Sequence, residues 1–351
     1  MFVKGENFIV PNLKLKFSPT PLHVSSFMLG KQLSKMIIHN IIIELSFSLE
    51  IVSFVLAAYG NVGELKYLYF VIILFWYLSI CVANTVLIVV IRVDIQLHEP
   101  MYILLCNLCV NQINVSTSLY PLLLSQMFSD SHEVTLPWCF LHMSSMYISG
   151  PAEFCSLAAM AYDRYISICH PLRYNVIMNT ERVFFMILFV WIYSFLSVIL
   201  SFSFIFSLKF CGTIIENVYC NHRLILRLSC FVSVHNFLSD IFFLFVSFFI
   251  PFTLISVSYV KILAVCRKTS TENKQKAVTT CVPQIVSVSN LFVGSIFQCI
   301  DSSVIVARLP VRIILSIYLF ICQPMLTPFL YGFNLPKIRQ SCKKLLFKKK
   351  Q

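Results

Sequence analysis

Seven long apolar runs govern what this 351-residue chain can become. They lie at roughly 67–91, 100–128, 136–169, 182–207, 235–265, 277–300 and 311–333. Each meets the length of about 20 residues that an α-helix needs to cross a bilayer. Backbone amides and carbonyls in lipid must be satisfied within their own segment, which selects helices over open strands. The runs are also too long, and alternate too weakly, for the strands of a barrel. Composition agrees. Charged residues make up 12% of the chain and the hydrophobic set 58%, with 33 Phe and only 8 Gly, whereas a soluble domain carries about 25% charged residues. A disordered tail, a collagen-like chain and almost any soluble enzyme are excluded. The fold expected is all-α: a membrane-embedded bundle of seven transmembrane helices.

Orientation follows from the basic residues of alternate loops. The segments 92–99, 163–182, 261–276 and 337–351 carry sixteen Lys and Arg, against five in 128–138, 208–234 and 299–312. The basic side is cytoplasmic, which puts the C-terminus inside and the N-terminus outside. The chain then divides into an extracellular leader, 1–66, a seven-span bundle, 67–333, and a basic cytoplasmic tail, 334–351. The leader holds six Lys and no clean signal peptide. Leu345, Leu346 and Phe347, set among basic residues, suit a short amphipathic helix lying at the interface after the seventh span. A net charge of +12 in such a chain sets topology, and no charge stripe with interleaved aromatics suggests nucleic acid. The 14 Cys form no CxxC pairs, and the His residues show no HExxH or similar spacing. No metal or other cofactor is expected. Internal inverted repeats and paired intramembrane charges, which a transporter would show, are missing from the sequence.

One stretch names a family. Residues 160–174 read Met160-Ala161-Tyr162-Asp163-Arg164-Tyr165-Ile166-Ser167-Ile168-Cys169-His170-Pro171-Leu172-Arg173-Tyr174. This resembles the MAYDRYxAICxPLxY signature of olfactory receptors, a branch of the rhodopsin-like (class A) G-protein-coupled receptors, with Ser167 in place of the usual Ala. Other fragments follow in order: Asn84, His98-Glu99-Pro100-Met101-Tyr102, Trp191, Ser258-Tyr259, Lys276-Ala277-Val278-Thr279-Thr280-Cys281 and Pro324-Met325-Leu326-Thr327-Pro328-Phe329-Leu330-Tyr331. Together they span about residues 54–345. Leu56-Ala57-Ala58-Tyr59-Gly60 is similar to fish-type members.

The resemblance implies an odorant receptor of the plasma membrane that is not an enzyme. Its partners would be a small-molecule odorant, a heterotrimeric G protein of the stimulatory olfactory type, and membrane lipid. It further implies a switch in which Arg164, held at rest by Asp163 and followed by Tyr165, swings to meet the G protein. An always-charged planar donor suits that handover better than Lys. Tyr259 and Tyr331 would stabilise the open form. Four Cys lie outside, and four allow three pairings; the resemblance selects Cys139–Cys220 and Cys211–Cys230. Cys342 is a candidate for palmitoylation. The remaining helical Cys read as small hydrophobes.

Ionisable groups inside a membrane are costly and usually functional. Glu153 lies eleven residues before Arg164, where the family commonly carries a Glu, and its partner position in the second helix is Gln112. Thr327 replaces the seventh helix's usual Asn. With Asn84 these form an expected polar core, lacking the second carboxylate that a sodium site would need. Asp240 is either a solvated helix-end acid or a contact for a cationic ligand. The odorant pocket is expected from Met146, Tyr147, Gly150 and Pro151, with Phe243, Ser247, Val293, Ile296 and Phe320, each of which could equally serve interhelical packing. Alternatives within the class are a receptor for a non-odorant ligand and an impaired receptor-like product. The leader has no Asn-x-Ser/Thr site, while Asn114-Val115-Ser116 falls inside the second helix. Met36 is a plausible alternative start, making residues 1–35 a candidate gene-model extension.

Overall fold

The computed structural model describes residues 53–59, 65–203, 205, 208–230, 238, 241–267, 271–303 and 309–347. Residues 1–35, Met36, Asp240 and the last four residues lie outside the described residues. Everything below concerns the unit Ile51–Gln351.

Among the described residues seven long helices follow one another in the order read from the apolar runs: α1 Leu65–Val93, α2 Pro100–Met127, α3 Leu136–Cys169, α4 Thr180–Phe202, α5 Ile241–Arg267, α6 Thr271–Ser303 and α7 Leu309–Asn334. An eighth, α8 Pro336–Phe347, follows at once. The ends obey local rules. Pro100 and Pro336 open α2 and α8, where the missing N–H costs nothing. Asn179 caps α4, its side-chain oxygen accepting from the Arg182 amide at 2.8 Å. Pro121, Pro151, Pro283, Pro324 and Pro328 sit inside helices, which a membrane bundle tolerates because neighbours satisfy the freed carbonyls. One such neighbour is Asn84, whose amide donates to the Pro324 carbonyl at 3.0 Å.

By length and composition alone, α1, α4, α5 and Cys281–Gln298 within α6 suffice to cross a membrane. α2 and α3 are as long but more polar, and their polar side chains face inward: Asn107, Asn111, Gln112, Ser149, Glu153, Ser156 and Asp163 are all buried. The helices richest in polar groups are the ones that protein surrounds. Conversely Phe75, Val82, Phe189, Leu196, Phe249 and Val260 point outward, a cladding that only lipid stabilises. Apolar burial gives no net drive between helices in lipid, so close packing and interhelical hydrogen bonds hold this bundle. α3 is its hub, touching α2, α4, α5 and α6.

Two buried clusters divide the interior. One gathers Leu87, Leu104, Leu108, Phe154, Tyr331 and Ile338 toward the Arg164 end. The other gathers Leu119, Met143, Met146, Phe202, Tyr219 and Cys220 toward the opposite end. That opposite end carries a small sheet no apolar run announces: β1 Ser53–Leu56, β2 Glu133–Thr135 and β3 Ile214–Ile215, in the order β2-β1-β3. β1 pairs antiparallel with β2 (Phe54 opposite Val134) and parallel with β3 (Leu56 opposite Ile215). Phe54 and Leu56 are fully buried beneath it. The Tyr59 hydroxyl donates to the Val218 carbonyl at 2.8 Å, and its ring stacks on His132. Cys139–Cys220 and Cys211–Cys230 are both disulfide-bonded. They are the pairing chosen from three at the start.

Candidate functional site

A cavity of about 100 Å³ opens between α2, α3, α5, α6 and α7 beneath this lid. That is small beside the roughly 300–1,000 Å³ of ordinary ligand pockets. α3 supplies Met146, Tyr147, Gly150 and Pro151, and α5 and α7 supply Phe243 and Phe320, all six named from the sequence. Tyr147 is the organising ring, packing against Phe202, His222 and Phe243 with centroids 5.3, 5.7 and 5.5 Å away. Phe154 meets Phe248 edge-on at 4.9 Å.

Three expected lining residues are not brought to the cavity. Val293 and Ile296 are each 41% exposed on the outer face of α6; the inward face is Leu291, Ser295 and Gln298, which share one stripe at i, i+4 and i+7. Ser247 is fully buried but absent from the lining, where Leu244 and Phe248 appear instead. Its helix contains a π-turn over Phe245–Phe249, and the extra residue shifts the phase that a regular helix would give. Among the described residues the buried Ser247 hydroxyl has no hydrogen-bond partner.

The floor is polar. Gln112 Nε2 donates to Glu153 Oε1 at 2.5 Å, and Asn111 to the Ser149 carbonyl at 3.0 Å. Beside them runs a chain that went unread: Tyr318 donates to Asn290, Asn290 to Gln323, and Gln323 to Ser287, at 2.8, 2.7 and 2.8 Å. The rarity of Gln and Asn inside transmembrane segments was its available signal. Thr327 is buried and bonds back to the Gln323 carbonyl, at 3.4 Å; among the described residues it does not extend the Asn84 contact. Among the described residues no group of three His, Cys, Asp or Glu could hold a metal ion. Asn114 donates to Ser149 at 2.9 Å, between α2 and α3.

At the far end of α3 the Asp163–Arg164 pair is closed. Arg164 Nε and Nη2 both donate to Asp163 Oδ2, at 2.9 and 2.5 Å. Tyr174 donates to the other oxygen at 2.8 Å. Their side chains are 13% and 0% exposed. Tyr165 reaches His170 at 3.2 Å. Among the described residues the buried hydroxyls of Tyr259 and Tyr331 have no hydrogen-bond partner. α8 docks alongside: Ser341 donates to Asp94 at 2.6 Å, and Lys337 pairs with Glu99. The Asp94 carboxyl is held below the usual carboxylate range, chiefly by the Ser341 hydroxyl and then by the Gln96 amide.

A family model described as olfactory receptor matches residues 73–349. The chain belongs to the olfactory receptor family. Human olfactory receptor 10A6 is 35% identical over 250 residues, covering 70% of this chain and 78% of that one. Human olfactory receptor 10A3 is 30% identical over 301 residues, covering 84% and 94%. The crystal structure of squid rhodopsin superposes with a TM-score of 0.63 at 18% identity, over 83% of this chain and 89% of that one. That likeness gives the rhodopsin-like seven-helix membrane fold. In this olfactory receptor the lidded cavity and the Asp163–Arg164 pair share one helix, α3, the cavity at its middle and the pair near its C-terminal end.

Proposed function

We propose that this olfactory receptor takes a small, mostly apolar odorant into the α3–α5–α6–α7 cavity and thereby activates a stimulatory, olfactory-type G protein, raising cyclic AMP. The observation that carries the proposal is the continuity of α3. Gly150 lines the cavity and Asp163 clamps Arg164, thirteen residues or about 20 Å away along one continuous helix. The pair is closed while two buried tyrosine hydroxyls lack partners, which is the arrangement of a resting switch. An odorant acts only through its higher affinity for the open form. The receptor would sit in the plasma membrane with the lidded end and leader outside and α8 with the basic tail inside. The sixteen-to-five bias of basic residues supports that orientation.

The test is cyclic-AMP output in cells expressing the full chain, the version starting at Met36, and Arg164→Ala, with surface labelling and a broad odorant panel. A ligand response that vanishes in Arg164→Ala is expected. Surface-expressed full chain that stays silent, under a panel that drives a related receptor, would overturn the odorant reading.

A further inference from the structure

A second groove, of about 700 Å³, lies on the outside of the bundle where α3, α4 and α5 meet near the Arg164 end. Its mouth carries two cations, Arg182 at the start of α4 and Lys261 near the end of α5. Among the described residues neither has an acidic partner within ion-pair distance. Glu181, the neighbour of Arg182, is not part of the lining. Below the mouth the walls are mostly apolar, with exposed Phe189 and half-buried Tyr193 from α4 and exposed Ile250 and Leu254 from α5. Arg182 and Tyr193 are eleven residues apart, as are Ile250 and Lys261. At 1.5 Å per residue each wall is about 16 Å deep. That depth is half of the roughly 30 Å hydrocarbon core, or one leaflet.

We infer that this groove binds an anionic glycerophospholipid of the inner leaflet, its phosphate between Arg182 and Lys261 and one acyl chain along α4 and α5. The inference rests on the orientation proposed above. A cationic mouth over a leaflet-deep apolar trough matches such a lipid in charge and in length, and juxtamembrane cations attract anionic headgroups. Arg182 Nη1 already donates to the Ile177 carbonyl at 3.1 Å, which fixes the guanidinium at the rim. Lys261 Nζ lies 5.2 Å from the centre of the Tyr165 ring, so the bound headgroup reaches the residue next to the switch arginine.

The experiment uses the full chain in nanodiscs containing either phosphatidylserine or phosphatidylcholine with a photoreactive acyl chain, followed by mass-spectrometric mapping. Phosphatidylserine is expected to label α4 and α5 between Phe189 and Leu254 in preference to phosphatidylcholine. Replacing both cations, Arg182→Gln with Lys261→Gln, is expected to lower that preference on the order of 30-fold, each cation contributing about tenfold or less. Equal labelling by the two lipids, or a preference that survives in the double variant, overturns the inference. Should the double variant show no thermal transition, the wild-type chain decides. Its preference must then fall as ionic strength rises, and a salt-independent preference overturns the inference too. Neither result depends on an odorant response.

Discussion

Asp163→Asn tests what the closed pair restrains. In the resting arrangement Asp163 accepts two N–H bonds from Arg164 and one O–H bond from Tyr174, with its carboxylate fully buried. A hydrogen bond to a charged group contributes about 1.5–3 kcal/mol, and a neutral one about 1 kcal/mol. Asn keeps one acceptor oxygen for Arg164 without the ion-pair attraction, weakening each of the two Arg164 bonds by about 1 kcal/mol, and turns an NH2 toward the Tyr174 hydroxyl, so the resting form weakens by about 2 kcal/mol or more. The open form, from which Arg164 has departed, loses nothing comparable. It even gains, because a buried carboxylate without its cation is costly. The ratio of open to resting receptor therefore rises about 30-fold. From a minor state of about 0.1–10%, the open fraction would reach about 3–75%. Ligand-free cyclic AMP per surface receptor reads this directly. Asp163→Glu, which keeps the charge, should fall between wild type and Asn, and Arg164→Ala should fall to background. If Asp163→Asn reaches the surface and its basal output stays within twofold of wild type, the pair is not a restraint and the reasoning fails.

Other expectations follow from single residues. A Cβ at Gly150 would meet nothing within 4 Å because it enters the cavity; Gly150→Leu should leave surface expression unchanged while raising the half-maximal odorant concentration at least about tenfold, the scale of one or two lost apolar groups. At Gly294 a Cβ would sit 2.5 Å from Leu319 Cδ1, so Gly294→Val should cost about 1–3 kcal/mol of overpacking and lower the thermal midpoint of purified receptor. Ser341→Ala removes the tether to Asp94 and should loosen α8, seen as faster proteolysis of the tail. Since hydrogen bonding holds the Asp94 carboxyl low, the wild-type tether should persist through mild acidification and weaken only as pH falls through that lowered range, whereas a tether insensitive to strong acid would count against it.

The helices were legible because membrane burial writes itself as uninterrupted apolar sequence: the expected span 136–169 is the observed Leu136–Cys169. The Asp163–Arg164 contact and both disulfides were legible because motif residues sit at fixed places along α3 and the loops. The cavity was legible only in part. Met146, Tyr147, Gly150 and Pro151 could be counted along a regular helix from Arg164, but Ser247 was displaced by a π-turn that Phe245-Val246-Ser247-Phe248-Phe249 does not advertise. Val293 and Ile296 were lost differently. α6 is apolar on both its inner and lipid-facing sides, so hydrophobicity does not mark the inward stripe, while the polar Ser295 and Gln298 did. β1 escaped altogether, since four residues of extended chain take their conformation from partners about 80 and 160 positions downstream.

Those partners give the sheet a place in time. β1 leaves the ribosome before any span, whereas β2 follows two helices and β3 follows four. Each interval is an even number of crossings, so all three segments arrive on one face only if every intervening helix has inserted. A leader left on the wrong side, or a skipped span, leaves Phe54 and Leu56 uncovered and the backbone of Ser53–Leu56 unpaired. Closure of the lid thus reports correct threading of the first four helices. Among the described residues the sheet begins at Ser53, so a chain starting at Met36 still carries all three described strands.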